Sequence, residues 1–93
     1  MIMDGKILSG DICRATCGRD KDGVFLVISV TGDRALIADG NVRKVRSLKK
    51  KNLKHLEILI PQADVTLSER IGKGIPTSDK SLRRRIAELS QKK

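Results

Sequence analysis

The run Val24-Phe25-Leu26-Val27-Ile28-Ser29-Val30 limits the fold more than any other segment, because Ser29 is its single polar position. A half-buried strand alternates apolar with polar residues, and an amphipathic helix repeats its apolar positions every third or fourth residue. This run does neither. Turn signals bound it, Gly18-Arg19-Asp20-Lys21-Asp22-Gly23 before and Thr31-Gly32-Asp33 after. Glycine gives such turns backbone freedom and Asp favours their geometry. The run therefore reads as a central strand whose two faces are both covered.

The flanking segments supply its neighbours. After a break at Gly10-Asp11, Ile12 to Cys17 alternates, with Cys13, Ala15 and Cys17 on one face and Arg14 and Thr16 outward. Arg34 to Ala38 is a third strand. Asp39-Gly40-Asn41 is a hairpin signal, since Asp-Gly tolerates positive φ, and it points to a fourth, short basic strand at Val42-Arg43-Lys44-Val45. His55 to Ile60 is a fifth, with Leu56, Ile58 and Ile60 on one face, His55 and Glu57 on the other, and Pro61 as its stop. Five short strands separated by turns predict a mainly β chain, a small five-stranded barrel over residues 1–61. Its expected core holds Cys13, Phe25, Val27, Leu36, Leu56 and Ile58.

Residues 62–93 change character. Thr66-Leu67-Ser68-Glu69 fits a capping box, and Gly72 ends a helix of little more than one turn. Past the breakers Gly72 to Pro76, Thr77 or Ser78 caps a helix in which Leu82, Ile86 and Leu89 recur at helical spacing. Lys80, Arg83, Arg84 and Arg85 fall on its other face. The expectation is a short C-terminal helical tail, packed on the barrel through the three aliphatic residues.

The charge balance narrows the partners. With 20 Lys or Arg against 11 Asp or Glu in 93 residues, the formal net charge is +9. From Arg43 to Lys54 seven residues are basic and none is acidic. Such a cluster favours a polyanion, with nucleic acid first. The longest apolar run is far too short to span a bilayer. Met1 to Lys6 does not resemble a secretory signal, so a cytoplasmic setting is expected.

The missing residue types narrow the chemistry. Cys13, Cys17 and a distant His55 are too few for a zinc site, and no metal or disulfide is expected. His55 has no nucleophile or carboxylate pair placed beside it, and Gly72-Lys73-Gly74 is not a phosphate-cradling loop. The chain is thus read as no enzyme, with no cofactor and no small-molecule substrate. It has no Trp or Tyr, and its one Phe lies in the apolar run. Without an aromatic platform for unpaired bases, recognition would rest on the phosphates, sugar hydroxyls and shape of folded RNA. The expected RNA-binding residues are Arg19, Lys21, Arg43, Lys44, Arg46, Lys49, Lys50, Lys51, Lys54 and His55.

The landmarks also occur in a recognisable order. Gly10 through Val30 looks like a KOW motif. Gly18-Arg19-Asp20, the Phe25 strand, Ala38-Asp39-Gly40, Arg43-Lys44 and Lys51-Asn52-Leu53-Lys54-His55-Leu56 together resemble bacterial KOW-domain RNA-binding proteins. Those are similar to the archaeal and eukaryotic large-subunit ribosomal protein fourteen-e. The resemblance covers roughly Gly5 to Ile60. It implies an SH3-like barrel, binding to structured RNA and to ribosomal RNA foremost, and a ribosomal or ribosome-associated role in translation. The alternative is a small-barrel protein-interaction module acting on the transcription or translation machinery.

Overall fold

The computed structural model describes residues 6–90. Its strands are β1 (Ile12–Ala15), β2 (Val24–Thr31), β3 (Arg34–Ala38), β4 (Lys49–Asn52) and β5 (Leu56–Ile60). They form one antiparallel sheet in the order β4-β3-β2-β1-β5, with β2 at its centre. A 3-10 turn, Leu53–His55, joins β4 to β5, and two helices follow, α1 (Val65–Gly72) and α2 (Asp79–Ser90). β4 and β5 are the edges of an open sheet where the sequence predicts a barrel.

The two-faced apolarity of β2 has the expected consequence. Phe25 and Val27 pack with Ile7, Cys13, Ala15, Ala35, Ile37 and Leu56 on one face of the sheet. Leu26 and Ile28 pack with Ile12, Ala38, Ile71, Leu82 and Ile86 on the other. The register shifts between Val27 and Ser29, which places a bulge at Ile28. There Ser68 of α1 places its Oγ 2.9 Å from the carbonyl oxygens of Val27 and Ile28, and Ser9 donates to Ile28. The bulge is thus the seat of α1.

Several sequence expectations are corrected. The helices are not a tail, because Ile71, Leu82 and Ile86 complete the second half of the core, with Leu89 packed against it. α1 spans eight residues, and its cap is Asp64, whose carboxylate accepts from Leu67 N at 2.9 Å, in place of Thr66. Ser78 caps α2 as expected, accepting from Ser81 N. Val42–Val45 is not a strand. The Asp39 carboxylate takes the N–H groups of Asn41 and Arg43, the Arg43 carbonyl takes those of Asp39 and Gly40, and Val45 N–H goes to Asp79. With its backbone so committed, the segment makes no ladder, and β4 forms from the lysine run instead. Cys13, Phe25, Val27 and Leu56 are buried, whereas Leu36 and Ile58 are half-buried. Ile60 joins the helix-side cluster, away from Leu56 and Ile58, because the β1–β5 register shifts between Ile12 and Cys13.

Candidate nucleic-acid interface

The two basic turns are built by different local chemistry and then fastened together. In the first, Lys21 N donates to Gly18 O and Gly23 N to Asp20 O, closing the turn between β1 and β2. Asp22 sits at φ 71°, and a Cβ at Gly23 would press on the Phe25 ring. The second turn, between β3 and β4, opens on Gly40 at φ 78°. Arg43 connects them. Its Nε and Nη2 donate to the two oxygens of Asp20 at 3.1 and 2.9 Å. Lys51 reaches the same site from β4, with Nζ 3.2 Å from the Cys17 carbonyl and 3.9 Å from Asp20. The Asp20 side chain is 7% exposed and that of Lys51 10%, so this cluster lies in the body of the protein.

The second turn is held from the other side as well. Asp79, in the first turn of α2, accepts from Val45 N at 2.8 Å. Arg83 Nη1 donates to Gly40 O at 2.6 Å. Three side chains from two other parts of the chain, Asp20, Asp79 and Arg83, therefore fix a segment that has no ladder of its own.

The expected site residues divide into two groups. Arg43 and Lys51 hold internal partners, and the half-buried Lys49 shares a face with Lys51, opposite Ile37. Arg19, Lys21, Lys44, Arg46, Lys50, Lys54 and His55 are exposed. Strand alternation divides the three lysines of β4. Lys49 and Lys51 pair with Ile37 and Ala35 of the first cluster, whereas Lys50 pairs with Leu36 on the helix side. The triple lysine is not one surface. His55 contributes its carbonyl, which accepts from Thr16 N. On α2, Lys80 and Arg84 are exposed, whereas Arg83 serves the loop and Arg85 donates to the Asp64 carboxylate.

Sequence reasoning missed Asp20, Asp79 and Arg83. Asp is ordinary in turns and helix first turns, so nothing local marks Asp20 or Asp79 as anchors of a distant loop. Cys13 is fully buried and its thiol is pushed up to about 12, by burial first and by the Asp11 charge second. Cys13 and Cys17 are both free thiols. Among the described residues no group of three or more His, Cys, Asp or Glu is placed to hold a metal ion. Among the same residues no helix is long and apolar enough to cross a membrane. Comparison of the sequence with models of known protein families gives no match, and comparison with curated proteins gives none either.

Proposed function

We propose that this chain binds structured RNA through its phosphates, using Arg19 and Lys21 of the first basic turn, Lys44 and Arg46 of the second, and Lys54. The observation that carries the reading is the Arg43–Asp20 fork, which fastens the two basic turns to each other while their remaining cations stay exposed. Cations held on fixed neighbouring loops lose less conformational freedom on meeting a phosphate backbone than cations on a free tail. Phe25 is 2% exposed, so among the described residues no Phe, Tyr or Trp ring is left on the surface to stack splayed bases, which favours folded RNA over single strands.

The finer fold belongs to the same reading. We read the open sheet as the strand set of an SH3-like barrel of the KOW kind whose β4 and β5 edges are not closed by pairing, because β4 and β5 follow each other through a single 3-10 turn and β1 pairs with both β2 and β5. On that reading the RNA is ribosomal, the setting is cytoplasmic, and the role lies in translation on or near the ribosome.

The test is a salt titration of binding to an RNA hairpin and to an unstructured strand of the same composition. About five phosphate contacts give a log–log slope of roughly −4 to −5 on a duplex-like RNA. Tighter binding to the hairpin is expected. A slope near zero overturns the phosphate reading, and tighter binding to the unstructured strand overturns the choice of RNA.

A further inference from the structure

An open groove of about 620 Å³ lies between the second basic turn and the α1–α2 connector, and Asp20, Arg43 and Lys51 are not among its lining residues. Its lining includes Val45 and Arg46 of the turn, Ile71 of α1, and Ile75, Pro76 and Thr77 of the connector. That volume lies within the usual range for ligand-sized pockets. Both walls are held in place. Val45 is pinned through its N–H by Asp79. The connector is folded back on α1 by Gly74 N donating to Ile71 O and Ile75 N to Arg70 O. Ile75 nevertheless remains 39% exposed, an aliphatic side chain left on the surface of a highly charged protein.

We propose that this groove docks a short acidic protein segment that inserts an aliphatic side chain. Charge complementarity selects the occupant. Arg46 lines the groove, Lys44 precedes it on the same turn, and Lys73 and Lys80 flank the connector, all exposed. The only acid from Ile71 to Lys80 is Asp79, whose carboxylate is turned onto the Val45 N–H. The apolar lining is Val, Ile and Pro, with no aromatic ring, so an inserted nucleobase would find no stacking partner there, whereas a Leu or Ile side chain finds contacts of its own kind. A second copy of this chain is disfavoured by like charge, since each copy carries +9. This docking surface is separate from the phosphate contacts proposed above except at Lys44 and Arg46. The two partners would therefore compete for the second turn and not for Arg19 or Lys21.

The experiment is selection of a randomised peptide display library on the intact chain, followed by methyl NMR with the enriched peptide. Enriched sequences should share an aliphatic residue flanked by Asp or Glu. The largest shifts should fall on Val45, Ile71 and Ile75. Ile75→Ala should weaken the enriched peptide about tenfold or more, the scale of removing one anchor side chain, while the RNA salt slope stays as in the wild type. Thermal melting confirms that the variant folds. Enrichment without acidic residues, no enrichment, or shifts outside the groove overturns the proposal. So does an RNA hairpin with one unpaired nucleotide that moves these three methyl groups when the peptide does not.

Discussion

Asp20 holds two cations at once, and the consequence is larger than that of a surface pair. Exposed ion pairs contribute little because water screens both partners. Here the Asp20 side chain is 7% exposed, that of Lys51 10% and that of Arg43 25%. Removing the carboxylate leaves two cations close together and poorly hydrated. Asp20→Ala should therefore cost about 3 kcal/mol in urea unfolding, near the lower end for breaking a buried pair. Arg43→Lys should recover only part of the interaction, since an ammonium cannot make the two-point contact. A loss below about 0.5 kcal/mol in Asp20→Ala would place the cluster among ordinary surface pairs. The second prediction at this scale concerns Cys13. The folded thiol titrates at about 12 against an ordinary 9.0, so between those values the folded state holds a proton that the unfolded state has lost. Stability should fall as pH rises above about 9, by up to about 1.4 kcal/mol per pH unit. Cys13→Ala should lack that part of the slope. Native protein should also react with a thiol reagent quickly at the half-exposed Cys17 and, at Cys13, only on unfolding.

At the scale of elements, the helix that closes the second core also sets the shape of a loop. Leu82 is fully buried against the sheet, and Leu82→Ala should cost about 2–5 kcal/mol. A finer test uses Gly40. It lies at φ 78°, and a Cβ there would collide with the Asp79 carbonyl oxygen and crowd Arg83. At Gly32, also left-handed at φ 62°, a Cβ meets nothing within 4 Å. Gly32→Ala should carry only the backbone cost, about 1 kcal/mol, whereas Gly40→Ala adds displacement of α2. Equal melting temperatures for the two variants would show that α2 does not bear on the loop. These elements also mark how far the sequence could be read. β2, β3 and the α2 face were legible because burial on two faces, short strand length and 3.6-residue spacing are local patterns. β4 was not, because Lys49-Lys50-Lys51 has no apolar alternation; its strand state comes from pairing with Ala35, Leu36 and Ile37. The strand expected at Val42–Val45 failed for the same reason in reverse: its backbone groups are taken by Asp39 and Asp79, the latter 34 positions from Val45.

Over the whole molecule, the net charge of +9 says that a polyanion is attracted, but not which cations meet it. The ten site residues legible in the sequence share only their type and their clustering. The structure separates them by what each side chain already touches. That separation predicts two phenotypes from neighbouring basic residues. Lys51 faces the Cys17 carbonyl and Asp20, so Lys51→Ala should lower the urea midpoint and leave the RNA salt slope unchanged. Lys44 and Arg46 are exposed, and no ion pair holds them among the described residues. The Lys44→Ala/Arg46→Ala double variant should keep the urea midpoint and flatten the slope by about two units, one for each phosphate no longer neutralised. Binding should weaken similarly for unrelated hairpins, since phosphate contacts carry no base information. The salt slope and the urea midpoint, measured on the same two variants, decide the matter. If Lys51→Ala flattens the slope and the double variant does not, RNA meets the β4 side of the sheet, and the fastened turns are scaffold instead of site.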